Sequence, residues 1–328
     1  MNNRLKTVIE KTLPSEHIKY CCAYGSGVFT QKDNISNDKK PIEKKVIDLL
    51  IAVDDTQEFH LKNMALNKKH YSCISRVMPI HVTDLINRGT TKVYFNPLVP
   101  FSGCDLGYQY KYGIIHYKDF MRDLKYWETF YMAPRLQKPV LEVIRDDTDQ
   151  EEIKQVLEIN KRNALALAIL LMPAPDFTLM DMFLGVTKLS YMGDIRMKFK
   201  AENPNKILNI VEPNFEHFLT YYEKHIRDFE KLELLRYQGE SVFTTNAKSP
   251  HCIAQLLEYI PKESYIKLWI KDGSSGLHHD DMRHHLKTNL EIVNEKQSKK
   301  AVRKALYTTN PLKSLFYALE KRRKGKTS

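Results

Sequence analysis

"IKYCCAYGSGVF" (Ile18–Phe29) and "VIDLLIAV" (Val46–Val53) decide how this chain is read. Each holds a short apolar run rich in β-formers, the pattern of a buried strand. The first run ends in Gly25-Ser26-Gly27. Small residues there let backbone N–H groups approach a phosphate closely. The stretch is neither G-x-x-x-x-G-K-[ST] nor G-x-G-x-x-G, so P-loop and Rossmann fingerprints are excluded. By itself it reads as a turn between strands.

Asp48 changes that reading. It is an acid inside an otherwise apolar strand, where an unpaired carboxylate is costly. It needs a metal ion or a basic partner. A Gly-Ser turn followed by an acid on the neighbouring strand is the layout of nucleotidyltransferases, in which the turn holds a nucleoside triphosphate and the acid holds Mg²⁺. The usual second acid, two residues on, is replaced by Leu50. Asp54 or Asp55 can supply that ligand, although Asp55 is also placed to cap a helix from about Thr56.

Further outward, "FHLKNMALNKKHYS" spaces His60, Asn63, Asn67 and His70 by 3, 4 and 3. On a helix they fall within an arc of about 80° and are expected to line a groove. "KVYFNPLV" and "YKYGIIHY" read as strands, the second carrying Lys111. "YKDFMRDLKYWETFYM" has helical apolar spacing and must stop by Ala133, because Pro134 follows. "RLQKPV" then offers Arg135 and Lys138, two cations suited to a triphosphate or a leaving pyrophosphate. Past residue 150 the pattern is helical: Ile153–Met172, a helix capped by Thr178-x-x-Asp181, and one opening at Pro213 and running to about Leu235. "LSYMGDIRM" adds Asp194 and Arg196 around a glycine.

The bulk numbers fit a globular chain of 328 residues with 42% hydrophobic content. No apolar run reaches the ~18–20 residues that span a bilayer. "ALALAILLM" is stopped by Pro173 and reads as a buried helix end. Five cysteines, with no C-x-x-C pair, favour free thiols in a reducing compartment. "MNNRLKTVIEKTL" lacks the apolar core of a secretory signal; it is basic and weakly amphipathic, as a mitochondrial address can be. The net charge of +11 is concentrated at one end. Lys296–Ser328 carries eleven Lys or Arg against Glu320 alone, leaving +1 for residues 1–295. Such an end seeks a polyanion. Asn310-Pro311 can start a helix in which Leu312, Leu315, Phe316 and Leu319 share a face, with Lys313 and 321–324 supplying charge, an interfacial pattern for an anionic membrane surface. In "GLHHDDMRHH", His278, His279, Asp280, Asp281, His284 and His285 contain i, i+4 pairs able to bind zinc, but the Asp pair reads as a helix start.

Taken in order, "YGSGVF", "IDLLIAVDD", "FHLKNMALNKKHYS", "VYFNP", "KYG", "WETFYMAPRLQKPV", "LSYMGDIRM" and "NPNKILNIVEPNF" resemble the mitochondrial CDP-diacylglycerol synthases, the translocator assembly and maintenance family. The resemblance is dense over about residues 20–222. Pro134 stands where the family usually has glycine. The resemblance implies a fold of α/β plus all-α class: a nucleotidyltransferase-type mixed-sheet domain (1–150), a helical winged-helix-like domain (151–295), and a basic C-terminal membrane-contacting segment with an amphipathic helix (296–328). It implies the Mg²⁺-dependent reaction of CTP with phosphatidic acid to give CDP-diacylglycerol and pyrophosphate, feeding phosphatidylglycerol and cardiolipin synthesis. It also implies peripheral attachment to the matrix face of the mitochondrial inner membrane.

On this reading Asp48 binds the metal, with Asp55 a second ligand. Gly25, Ser26 and Gly27 hold CTP with Lys111, Arg135 and Lys138, while Asp194 and Arg196 complete the metal shell or hold the lipid phosphate. No RNA-binding signature is present, so nucleic acid is not an expected partner. Two rivals stay open: a nucleotidyltransferase acting on RNA or a small alcohol, and a membrane-docked scaffold for translocase upkeep.

Overall fold

A computed structural model describes residues 2–30, 46–78, 80–81, 84, 87, 89, 91–100, 108–198, 202–238, 242–244, 249–267 and 279–308. They form two compact units. One comprises Met1–Met121, Val140–Lys154 and Gln297–Ser328, the other Arg122–Pro139 and Gln155–Lys296.

The first unit is built on a five-stranded mixed sheet. Its strands are β1 (Ile18–Tyr24), β2 (Val46–Val53), β3 (Val93–Val99), β4 (Gln109–His116) and β5 (Leu141–Arg145), in the order β3-β4-β2-β1-β5. Only β2 and β4 pair in parallel; the other neighbours are antiparallel. The first four are the strands the apolar runs predict. β5 escaped notice because "LEVIR" is short and half polar.

The alternation of β2 explains the sheet. Ile47, Leu49, Ile51 and Val53 enter a core with Leu5, Ile9 and Leu13 from α1 (Asn2–Thr12) and its exit, and with Phe59 from α2 (Thr56–Leu66). Asp48, Leu50 and Ala52 take the other face, since side chains alternate along a strand.

The second unit is mainly helical. α3 (Tyr117–Tyr126) leads into it, followed by α4 (Gln150–Leu170), α5 (Leu179–Lys188), α6 (Phe215–Lys231), α7 (Pro250–Glu258) and α8 (His279–Thr308). Ala164–Leu170 is buried throughout, so the longest apolar run is a core helix. α5 begins with the expected capping box: Thr178 Oγ1 accepts from the Asp181 amide, and the Asp181 carboxylate accepts from the Thr178 amide.

Three expectations are corrected. α3 stops at Tyr126, within the bound set by Pro134 but short of the helical apolar spacing, which runs on to Tyr131. Asp123, just before the end, offers a carboxylate that captures the amides of the following residues and so competes with the helix for them. α6 runs from Phe215 to Lys231 rather than from Pro213 to Leu235, with 212–214 forming a separate 3₁₀ turn. The region past 150 also contains a small antiparallel sheet, β6 (Asp176–Thr178), β8 (Val242–Thr244) and β7 (Arg236–Gln238). Two of those strands follow the helix read to about Leu235, in a region read as helical. α8 crosses residue 296, so the basic segment starts as ordered helix. The stretch bearing Leu312, Lys313, Leu315, Phe316 and Leu319 lies outside the described residues.

Candidate active site

The register of the sheet assembles the first cluster. Asp48 stands opposite Tyr24 on β1 and opposite Lys111 on β4. The Lys111 ammonium lies 3.3 Å from Asp48 Oδ1. Both side chains are partly exposed, at 35% and 23%. The "YKYG" glycine, Gly113, leaves room for the Phe95 ring, and Lys111 Nζ sits 5.1 Å from that ring's centre. Leu50 is 1% exposed, so the same face turns apolar one step beyond Asp48.

The Gly-Ser-Gly turn closes over this acid. Gly25 has φ +78°, and a Cβ there would stand 3.2 Å from Asp48 Oδ2. A Cβ on Gly27 would fall 2.2 Å from the Val46 carbonyl oxygen. Val28 and Phe29 both donate their amides to the Gly25 carbonyl, and Ser26 is exposed. The turn is therefore a fixed backbone surface beside one carboxylate. Asp55 caps α2, accepting from the Gln57 and Glu58 amides, and Asp54 meets His17 Nδ1 at 2.9 Å.

The second cluster lies wholly in the helical unit. Lys138 Nζ donates to the Pro134 carbonyl and, at 3.1 Å, to Ser190 Oγ. Burial, with the charge of Arg135 adding, brings its pKa down to about 7. Arg135 stacks over the Tyr131 ring at 4.1 Å and donates to the Tyr131 carbonyl. Asp194 is 5% exposed and takes a two-pronged bond from Arg196, Nε at 3.1 Å and Nη2 at 2.6 Å. Burial pushes the Asp194 carboxyl up, but Arg196 and then Arg135 outweigh it and leave it below the usual range. Gly193 turns the chain at φ +76°, with its missing Cβ against the Glu291 backbone. Two separate sequence motifs, "RLQKP" and "LSYMGDIRM", thus meet through Lys138 and Ser190.

The expected groove is not a groove. α2 ends at Leu66, and His60, Asn63 and His70 are buried. Asn63 Nδ2 donates to Tyr71 Oη (2.9 Å) and Tyr112 Oη (2.8 Å). Tyr71 Oη pairs with His60 Nδ1 and Tyr112 Oη with His70 Nδ1, each at 2.9 Å. His70 Nε2 meets the Pro100 carbonyl, so it carries the proton and Nδ1 accepts from Tyr112. Asn67 Nδ2 donates to Asn63 Oδ1 and to the Thr12 carbonyl. Burial takes His60 down to about 3 and lowers His70, so both are neutral. The polar spacing looked like a surface because the tyrosines that satisfy it come from other elements.

Sequence reading missed the groups that hold the second cluster: Asp123, Asn160, Ser190, Tyr221 and Tyr222. Their signal was a buried-type polar residue in an apolar context, visible at Asn160 in α4. Among the described residues no group of three or more His, Cys, Asp or Glu is placed to hold a metal. Asp280 and Asp281 occupy the first turn of α8, as a helix start requires, and His278 lies outside the described residues.

Comparison with known proteins bears on this arrangement. The family model described as "Phosphatidate cytidylyltransferase, mitochondrial" matches residues 5–324. Proteins of that name from Dictyostelium discoideum, Xenopus laevis and Drosophila melanogaster are similar. The first is 37% identical over 241 residues, covering 69% of this chain and 54% of that protein. The second is 36% identical over 248 residues, covering 76% and 69%. The third is 33% identical over 261 residues, covering 76% and 75%. The chain thus spans about half the length of the Dictyostelium relative it matches. With a match running almost from end to end, the chain belongs to the mitochondrial phosphatidate cytidylyltransferase family.

Proposed function

We propose that this chain transfers a cytidylyl group from CTP to phosphatidic acid, releasing pyrophosphate and forming CDP-diacylglycerol for phosphatidylglycerol and cardiolipin synthesis. The observation that carries the proposal is the Gly25–Gly27 turn fixed against Asp48, with Lys111 beside it, in a chain of this family. On this reading the first unit is a nucleotidyltransferase-type domain. The second is winged-helix-like, with β6–β8 as the wing sheet.

Mg²⁺ fits the donor set. It binds through one or two carboxylates plus substrate phosphates, not through a full protein cage, and Asp48 is one such carboxylate. Lys111 now supplies the positive charge beside it. Bound there, the ion would neutralise the triphosphate. Asp55, committed to capping α2, is the weaker second ligand.

The acceptor needs no strong base. A phosphate monoester has a second pKa near 6 and is already a dianion at about pH 7. The barrier is the meeting of two polyanions, so positioning and charge neutralisation carry the rate. The turn amides orient the triphosphate. Lys111 offsets its charge, and in the second unit Arg135 and Lys138 are cations suited to a phosphate or pyrophosphate. Asp194 holds Arg196 in a fixed orientation toward phosphate.

Among the described residues no helix is long and apolar enough to cross a membrane. The basic C-terminal end supports peripheral docking on an anionic surface, here the matrix face of the inner mitochondrial membrane. The test is purified protein with labelled CTP, phosphatidic acid and Mg²⁺, with organic extraction of the product. Label confined to the aqueous phase would refute the activity.

A further inference from the structure

We infer that Asp123 is a positioning residue, which holds the Arg135–Lys138 loop as a preformed site for a diphosphate-like anion. This rests on the reading of those two cations given above.

The Asp123 carboxylate is 2% exposed and gathers the loop around itself. Oδ1 accepts from the Thr129 amide (2.7 Å), the Thr129 hydroxyl (2.8 Å) and the Phe130 amide (2.8 Å). Oδ2 accepts from the amides of Tyr131 (3.0 Å), Met132 (2.7 Å) and Ala133 (3.2 Å). Five consecutive amides thus point at one buried side chain. Ending a helix requires far less than this.

The loop backbone is also strained. Trp127 and Phe130 adopt φ +52° and +51°, left-handed values that bulky residues avoid. Such strain persists only where surroundings over-determine it, and it clusters at functional sites. The surroundings here are specific. Asn160 Nδ2 donates to the Ala133 carbonyl, while Asn160 Oδ1 accepts from Trp127 Nε1 and Gln137 Nε2. Tyr221 and Tyr222 donate to the Leu136 and Gln137 carbonyls at 2.9 and 2.6 Å. The backbone before and after Arg135 is therefore tied to α3, α4 and α6. Two like charges, Arg135 and Lys138, are kept three residues apart although they repel. A loop that served only packing would not need two cations this close in sequence, each held by its own partners. A loop built to meet phosphate charge does, because preorganised donors cost no rearrangement on binding.

The experiment is calorimetric titration of the full chain with inorganic pyrophosphate at pH 7.5, in two buffers of different ionisation enthalpy. Wild type should bind and take up protons as Lys138 becomes fully charged. Asp123→Asn should bind at least tenfold more weakly and lose the proton uptake, since a loosened loop hydrates Lys138 before the anion arrives. Tyr221→Phe and Thr129→Val, each lacking one hydroxyl, should stay folded, weaken binding about threefold, and raise KM for CTP more than they lower kcat. If both bind pyrophosphate with wild-type affinity and proton uptake, the positioning role is overturned, whatever Asp123→Asn does. If Arg135→Ala binds as tightly as wild type, the phosphate role of the cations fails instead.

Discussion

Asp48 on β2 and Lys111 on β4 stand at the same level of a parallel strand pair and meet at 3.3 Å beside the Gly25–Gly27 turn. Parallel register puts both on one face of the sheet, so the pair follows directly from the topology. Asp48→Ala should reduce CDP-diacylglycerol formation by at least 100-fold in the extraction assay. Its melting temperature should change little, because partly exposed ion pairs contribute about 1 kcal/mol or less. Near wild-type turnover in a folded variant would remove the metal assignment.

The turn tests a different property. Gly27→Ala places a methyl 2.2 Å from the Val46 carbonyl, against backbone that cannot swing aside. Overpacking of this kind costs about 1–3 kcal/mol. Urea unfolding should show that loss, together with weakened CTP binding. Gly25→Ala should cost about 1 kcal/mol through its left-handed backbone alone.

The buried network predicts a stability effect with no direct loss of chemistry. Tyr112→Phe removes the hydroxyl that accepts from Asn63 Nδ2 and pairs with His70 Nδ1 in a buried network. The expected cost is about 2–3 kcal/mol in denaturant unfolding. His60 adds a pH dependence. Its folded pKa of about 3 lies below the ordinary 6.5, so the unfolded chain binds more protons between those values. Stability should therefore fall as pH drops from about 6.5 toward 3, and His60→Gln should flatten part of that slope.

Two lysines predict a trend of the same sign at alkaline pH. Burial lowers Lys304 to about 7, and burial with Arg135 lowers Lys138 to about 7. For a lysine with a depressed pKa, the unfolded state holds the extra proton between about 7 and 10.5. Stability contributed by these sites should rise with pH across that window, with a limiting slope of about 1.4 kcal/mol per pH unit for each lysine. Lys138→Met should remove its share in pH-dependent unfolding, and a wild-type slope in that variant would refute the assignment.

Lys304 also ties the basic end to the sheet. It is 5% exposed on α8 and donates to the Val93 carbonyl at the start of β3. Lys304→Ala should cost about 1–3 kcal/mol by removing that buried hydrogen bond. Faster hydrogen exchange should follow in residues 297–305 and at the start of β3, and unchanged exchange at both would contradict the anchoring.

The sequence by itself determined four of the five strands of the first sheet. "IKYCCAY", "VIDLLIAV", "VYFNPLV" and "YKYGIIHY" carry their burial in local composition, and the single acid in β2 stood out because a charge in an apolar run must be compensated. The Thr178–Asp181 cap was legible for the same reason: its donors and acceptors lie within one turn. Only the tertiary structure decided what compensates what. Lys111 reaches Asp48 from another strand 63 residues on. The tyrosines that hydrogen-bond to His60, Asn63 and His70 come from outside the helix that carries His60 and Asn63. Asp123 ends its own helix by gathering amides that periodicity assigned to that helix. In each case the missing partner is distant in sequence or competes with a local hydrogen bond, and a linear pattern records neither.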